Sequence, residues 1–385
     1  MSYQAVVVGA GFSGAVMAER MASQLGWKVL VLELRDHIAG NCYDELDDHG
    51  MLVHRYGPHL FHTDNKAVWD YLSQYTAWRD YEHRVLSKID GTLLPIPFNL
   101  TSILLSFAPE KAESMIALLI ARFGMDARIP ILTLRQENEP LLSELAEFIY
   151  LKAFVNYTSK QWGVPVDAIS PEVTARVPVV VSYDDRYFID TWQAVPEHGY
   201  TALFKRLLDD KRIDVCLSTP MEQRLQIEFD TQKVHLDGQL FSGPVIYTGM
   251  IDNLFNDVAP LPYRSLRFEF KHFAMKQFQP ATTVNYPNEE AFTRITEFKH
   301  LTRQLHAGTT VVYEYPLAYQ KDSGLDPYYP MFTDEAQNSY QHCRARLDCF
   351  SQVIAVGRLA EYRYYDMDDA VANALSAFER LKAQL

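Results

Sequence analysis

Residues 4–41 read QAVVVGAGFSGAVMAERMASQLGWKVLVLELRDHIAGN, and the fold follows from this stretch. Ala5 to Val8 is a short apolar run of the kind that a parallel sheet buries on both faces. Gly9-Ala10-Gly11-Phe12-Ser13-Gly14 follows with the spacing G-x-G-x-x-G. A helical stretch comes next, with Ala15, Met17, Ala18 and Met21 at its small or apolar positions. A second apolar run, Val29 to Leu32, ends at Glu33. Strand, glycine turn, helix and strand in this order make a βαβ dinucleotide unit. Gly9 allows the tight turn, Gly11 lets backbone approach a pyrophosphate, and Gly14 lets the helix pack close to the sheet. Phe12 and Ser13 open the helix, whose N-terminus faces the phosphates. Glu33 lies roughly 20 residues beyond the glycines, where an acid takes the ribose hydroxyls.

The motif alone does not choose between NAD and FAD. Arg35-Asp36-His37-Ile38-Ala39-Gly40-Asn41 comes directly after the acid. Arg35, Gly40 and Asn41 can return to the dinucleotide and supply charge and bare backbone. This resembles the FAD-binding proteins of the glutathione-reductase and amine-oxidase type, which often carry an Arg and a Gly-Gly pair here. The present chain has Ala39-Gly40.

The chain has 385 residues, enough for two or three domains with full cores. Hydrophobic residues are 48% and charged residues 22%, the balance of a soluble globular protein. A net charge of −13 argues against non-specific nucleic-acid binding. It also means that an anionic substrate must be met by local arginines. No apolar run approaches the length of a membrane span. The first strand starts without a leader-like segment. Cys42, Cys216, Cys343 and Cys349 have no metal-site or C-x-x-C spacing, so reduced thiols in a cytoplasmic protein are expected. His54, His59 and His62 lie close together, but the spacing fits no metal pattern and no acid or Cys completes a set; no metal is expected. Gly57-Pro58 marks a turn that presents His59 and His62 on a loop.

Further along, HRVLSKI and TLLPIPF read as strands joined by Asp90-Gly91. Pro109 to Phe123 and Pro140 to Val155 have helical spacing of Leu, Ile, Ala and Phe. Short strands fill 213–248, and 263–315 is rich in strands again. The tail has a strand from Val353 to Val356 and a helix from Asp369 to Leu381, with Asp368 as the expected N-cap. The expected architecture is α/β: a Rossmann-like FAD-binding domain of the glutathione-reductase type, an inserted helical domain and an antiparallel β-sheet domain. The FAD-binding domain is expected to be discontinuous, at 1–75, 196–250 and 330–385. The helical domain is assigned to 99–163. The substrate sheet is assigned to 76–98, 164–195 and 251–329.

Several stretches together resemble one family, the bacterial UDP-galactopyranose mutases. They are GAGFSGAV, RDHIAGN, YGPHLFHT, NYTSKQWG, RVPV followed by YDDRYF, FTRITE, DPYYP and GRLAEYRYYDMD. They stand in family order from residue 9 to residue 368. The resemblance implies an isomerase that interconverts UDP-galactopyranose and UDP-galactofuranose, the precursor of galactofuranose in cell-surface polysaccharide. It implies FAD that is active when reduced, whose N5 forms a covalent adduct with the sugar, with no net redox change. It also implies a homodimer.

Carried over residue by residue, Arg176 and Arg294 match the two arginines that bind the diphosphate. A leaving pyrophosphate needs cations, and guanidinium forks suit it. Tyr157, Thr158 and Trp162 match the residues that hold uridine. Tyr187, Tyr329 and Tyr364 match tyrosines lining the phosphates and sugar, and Asp366 an acid near UDP and the flavin. His59, Leu60 and His62 match the loop over the flavin, with His59 and His62 in catalytic contact. Arg264 matches an arginine of the flavin domain. Arg358, Met367 and Asp368 fit the last turn against the flavin. The segment bearing Arg176, about 164–178, matches a mobile loop. The pattern departs at Ala153, where relatives usually place an aromatic against uracil and where Phe154 stands next in line. It departs again at His83, where many relatives have Asn.

The rival from another class is an FAD-dependent amine-oxidase-like oxidoreductase, which shares the fold and the glycine loop. It needs no pair of arginines aimed at one anion. A disulfide reductase would carry a second glycine motif and a redox cysteine pair, and this chain has neither. A non-catalytic flavin-binding regulator would not need the whole set of site residues.

Overall fold

Ala5–Val8 is the central strand of a five-stranded sheet. The order is Ile213–Cys216, Val29–Leu32, Ala5–Val8, Val245–Tyr247 and Val353–Ala355, and every pair is parallel. Neighbours in space thus come from three separated stretches of chain. The computed structural model describes residues 3–163, 178–321 and 323–385. Both faces of the sheet are covered, as uninterrupted apolar strands require. On one side the helices Phe12–Leu25 and Met367–Lys382 pack with Val7, Met17, Met21, Phe204 and Phe378 in a shared core. On the other, Leu347 of the helix Asp334–Asp348 and Phe350 just beyond it share a core with Val6, Leu30 and Tyr247. Phe12–Leu25 stops at Gly26, whose left-handed φ of 70° lets its N–H reach the Ala22 carbonyl.

The helical segment is built from Leu100–Ser106, Pro109–Phe123 and Pro140–Ile149 around a separate apolar core. The sequence predicts ordinary helix through Val155. Instead, Tyr150–Val155 is a π-helix, and the α-helix Asn156–Trp162 continues from it. The wider turn changes which side chains face inward, and such insertions collect at functional sites.

The third unit is a seven-stranded sheet. Its order is Tyr329–Pro330, Tyr263–Phe273, Thr309–Ala318, Arg294–Glu297, Thr283–Asn285, Val85–Ile89 and Thr92–Ile96. It is antiparallel except for one parallel pair, Thr283–Asn285 with Val85–Ile89. The last two strands turn at Asp90-Gly91, both at positive φ, as a tight hairpin demands. A small antiparallel sheet has Trp192–Pro196 at its centre, between Phe61–Thr63 and Trp78–Asp80. The N-cap of the final helix is Asp366, two residues before the expected Asp368, and Asp368 instead accepts a hydrogen bond from Thr63 Oγ1 at 2.8 Å. No helix among the described residues is long and apolar enough to cross a membrane.

Candidate active site

The dinucleotide end is built as the glycine spacing requires. Gly9 has φ 102°, and a Cβ there would lie 2.1 Å from Thr248 Oγ1. A Cβ on Gly14 would meet the Gly9 carbonyl oxygen at 1.9 Å. A Cβ on Gly11, by contrast, would meet only Gly40 Cα, at 3.7 Å. So Gly14 serves the packing of helix on turn, while Gly11 keeps space free. Gly11 caps the helix Phe12–Leu25 with no side chain accepting from the first N–H groups, which leaves those donors for an anion. Phe12 is a core residue, 4.6 Å from the Phe204 ring, and Ser13 is buried beside Gly357. Glu33 accepts from Ala10 N at 2.7 Å and from Arg35 N at 2.9 Å. The Arg35 guanidinium is bound to Asn41 Oδ1 (2.9 Å) and Asp326 (2.6 Å) and lies over the Tyr56 ring. Gly40 backs onto Gly11. These residues fit the adenosine and pyrophosphate of FAD: bare backbone, open helix donors and an acid at the ribose position.

His59 and Leu60 lie in the loop before Phe61–Thr63. His59 N–H donates to His54 Nδ1 at 3.0 Å, and its own Nδ1 contacts the Gly57 carbonyl at 2.9 Å. Burial pushes the pKa of His54 down to about 4 and that of His59 to about 3, so both are neutral at pH 7. Met367 opens the final helix, where its Sδ accepts from Cys42 Sγ at 3.6 Å, and the Asp366 N–H donates to Asp369.

Tyr329 and Tyr364 stack 5.7 Å apart at 11°. Trp162, ending its helix, lies 6.5 Å from Tyr329. The Arg358 guanidinium sits over both tyrosine rings and donates to the Tyr365 carbonyl. Arg264 pairs in register with Tyr329 and donates from Nε to the Gln161 carbonyl at 3.1 Å, closing the end of the helix Asn156–Trp162. That places Arg264 in the seven-stranded sheet. Its pKa is lowered by burial, and among the described residues it has no acidic partner.

Arg294 explains how the sheet serves the site. Register places Phe268, Glu314, Arg294, Asn285, Ser87 and Leu94 in one row across six neighbouring positions. Paired residues project from the same face. Glu314, 1% exposed, holds Arg294 Nε at 2.7 Å. Despite burial, the carboxylate keeps the Arg294 pKa above its usual value. The row ends at a cavity of about 70 Å³ lined by Ser87, Asn285, Ile96, Phe98, Ala153, Phe154, Tyr157, Thr158 and Tyr187, among others. Ala153 and Phe154 both come from the π-helix. Asn285 lines this cavity, and its buried Oδ1 has no hydrogen-bond partner, which leaves one acceptor open. Burial raises the Tyr157 pKa. His83 is 5% exposed, touches Tyr81 Oη at 3.2 Å through Nδ1, and is pushed down to about 3 by burial. His62 stacks on Phe188 at 3.6 Å. Arg176 lies outside the described residues, as does most of the loop assigned to 164–178.

Asn285, Ser87 and Glu314 were not among the residues expected from the sequence. The signal for Glu314 was a lone acid in the apolar strand TVVYEYPLA. Asn285 and Ser87 carried none.

The described residues thus carry a glycine-loop cradle at one end of the parallel sheet and an apolar cavity with polar side chains on its wall at the end of the Arg294 row. Comparison with known proteins agrees. Residues 152–364 match the family model described as UDP-galactopyranose mutase, and residues 7–75 match a NAD(P)-binding Rossmann-like domain. The chain is 35% identical to the UDP-galactopyranose mutase of Mycoplasma pneumoniae, over 98% of this chain and 95% of that one. It is 32% identical to a dTDP-fucopyranose mutase of Escherichia coli, covering 96% of both. Among solved structures, a reduced UDP-galactopyranose mutase superposes with a TM-score of 0.74 at 16% identity, covering 100% of this chain and 96% of that one. A putative protoporphyrinogen oxidase from Exiguobacterium superposes at 0.66, covering 100% of both, which shows that oxidases share the fold. The chain belongs to the UDP-galactopyranose mutase family and is an isomerase.

Proposed function

We propose that this enzyme interconverts UDP-galactopyranose and UDP-galactofuranose with FAD in its reduced form. It would do so as a cytoplasmic homodimer supplying galactofuranose for cell-surface polysaccharide. The observation that carries the reading is the row from Glu314 through Arg294 and Asn285 into the apolar cavity. It puts a fixed cation beside a slot of the right character for a flat base. Glycine loop, Glu33, Arg35, Gly40 and Asn41 would hold the dinucleotide, and His59, Leu60, Arg358, Asp366 and Met367 its flavin end. Reduced FAD, when bound, supplies the nucleophile that takes the sugar from UDP.

Everything else is done by side chains of this chain. Tyr157, Thr158, Phe154 and Trp162 hold the uridine. Arg294, with Arg176, holds the diphosphate as it takes on charge in leaving, and keeps it close enough to return. The tyrosines Tyr187, Tyr329 and Tyr364 line the path between phosphates and sugar, and His83 closes the sugar end. Neutral His54 and His59 put no second positive charge against the loop, so the cations that meet the anion are guanidinium groups.

Arg294→Ala and Arg176→Ala should each remove most turnover while the protein stays yellow with FAD. Near-full turnover in either would overturn that assignment. Similarity to a dTDP-fucopyranose mutase makes the nucleotide sugar worth testing directly. UDP-galactofuranose should outcompete dTDP-fucofuranose, and the reverse ranking would reassign the substrate.

A further inference from the structure

Residues 286–293 join the strands Thr283–Asn285 and Arg294–Glu297, and the strand pair that closes this turn is Asn285 with Arg294. Two residues of the row into the cavity thus stand at the two ends of one loop. Beyond them the Tyr286 N–H donates to the Thr293 carbonyl at 2.8 Å. Lys160 reaches this loop from the helix Asn156–Trp162. Its Nζ donates to the carbonyls of Tyr286 at 2.7 Å, Glu290 at 2.7 Å and Phe292 at 3.3 Å. Three acceptors require three N–H donors, which only the protonated amine has. Burial lowers the Lys160 pKa, and the Glu290 charge offsets part of that. The Glu290 carboxylate itself lies 3.7 Å from Lys88 Nζ. The hydrogen bonds of Lys160 thus go to backbone oxygens of one loop, and what they fix is the path of that loop.

The same helix puts Tyr157 and Thr158 on the cavity wall. Positions three and four apart share a helix face, so Lys160 lies on the side of Asn156 and Tyr157. Asn156 grips the loop as well: its Nδ2 donates to Asn288 Oδ1 at 3.1 Å. Tyr157 and Arg294 stand close enough for each to influence the other's ionisation. We propose that Lys160 sets the register between the two halves of a nucleoside diphosphate site, the base held by its helix and the diphosphate held by Arg294. The inference rests on the mutase reading above, which seats uridine and diphosphate at those residues. Lys160 is a positioning residue: it acts through the loop from Asn285 to Arg294 and not on the substrate.

A ligand that spans two subsites gains from both only where their spacing is set in advance. Helix and loop each have support of their own. The helix follows directly on Phe154, which belongs to the core of the helical segment, and the loop hangs from two paired strands of the seven-stranded sheet. Without the ammonium both persist, and the tie between them is what goes. The Asn156–Asn288 contact is exposed and uncharged, so it holds less than three charge-assisted bonds. Arginine is no equivalent, because a planar fork cannot send three N–H groups from one atom to three carbonyls.

The test uses the full-length, FAD-loaded enzyme, titrated calorimetrically with UDP and with uridine. Lys160→Met should weaken UDP about 30-fold and uridine by no more than about threefold, because the base subsite is intact and only its spacing from the cation is lost. Lys160→Arg should fall between parent and Lys160→Met, and it carries the same comparison if Lys160→Met purifies without FAD. In the reduced enzyme, kcat of Lys160→Met at saturating substrate should drop about tenfold, as the diphosphate no longer sits in one place. A double-mutant cycle isolates the tie: Arg294→Lys should weaken UDP about fivefold less in the Lys160→Met background than in the parent. Additive losses in that cycle, or a UDP affinity of Lys160→Met within about threefold of the parent, would overturn the inference. So would equal losses for UDP and uridine with a lowered melting temperature, which marks a residue that only supports the fold. A parent enzyme that is yellow yet binds no UDP would fail the underlying reading, and this inference with it. A parent that binds UDP and turns over, with Lys160 variants that match it, fails this inference alone.

Discussion

Arg294 and Glu314 face each other across adjacent antiparallel strands, with Nε and Oε1 2.7 Å apart and the carboxylate almost wholly buried. A buried carboxylate is costly unless matched, and the match here keeps one guanidinium charged and aimed.

Removing that match should therefore cost both stability and rate. Glu314→Gln keeps the shape and drops the charge. We expect a loss of about 2 kcal/mol, toward the low end for one partner of a desolvated pair because Arg294 keeps some water. Turnover should fall about tenfold, as the guanidinium no longer sits in one place for the transition state. Urea denaturation and steady-state kinetics on the yellow protein check both. A variant with unchanged kcat would show that Glu314 only fills space.

Gly11 and Gly14 should separate cofactor binding from folding. A Cβ on Gly14 would strike the Gly9 carbonyl at 1.9 Å, whereas one on Gly11 has room at 3.7 Å from Gly40. Gly14→Ala should destabilise the protein whether or not FAD is present. Gly11→Val should melt like the apoprotein and purify without colour, because its side chain takes the pyrophosphate's place. Yellow Gly11→Val protein would contradict the assignment.

Asn285→Leu should raise the Kd for UDP at least tenfold with FAD content unchanged. The buried Oδ1 now lacks a donor, and a ligand that supplies one gains about 1–3 kcal/mol from the pairing. Calorimetric titration with UDP measures this directly. Equal affinities would place the base elsewhere.

The buried histidines give stability a definite pH dependence. His83 has its pKa depressed to about 3 in the folded state, against about 6.5 in an unfolded chain. Between those values the unfolded chain binds the extra proton, so stability is full above about pH 6.5 and falls as pH drops. From pH 7.5 to 5.5 the loss is about 1.4 kcal/mol for one such histidine. His83→Asn should remove that share of the slope, read as the difference in denaturation midpoint between the two pH values. An unchanged slope would mean that His83 is protonated when folded.

These outcomes also show which parts of the molecule a sequence can display. The cradle from Gly9 to Glu33 is local: strand, turn, helix and acid follow within one stretch, so spacing alone carries its geometry. The hairpin at Asp90-Gly91 and the helix Pro109–Phe123 are local too. The row from Glu314 to Ser87 is not. It exists because strands from 85 to 318 pair in one register, and nothing near Asn285 announces its neighbours. The π-helix Tyr150–Val155 was equally hidden, since its residues fit an α-helical pattern. It explains the departure at Ala153: Ala153 and Phe154 reach the cavity together. Asp366 against Asp368 as the N-cap is a two-residue ambiguity between acids, decided by where the backbone enters the helix.

The central claim is mutase chemistry on a reduced flavin without net redox change. UDP-galactofuranose given to the enzyme, either oxidised or reduced with dithionite, with products separated by chromatography, tests it most directly. The account predicts UDP-galactopyranose from the reduced enzyme alone, with the flavin still reduced at the end. No product in either state from visibly yellow protein, or equal product from both, would contradict it.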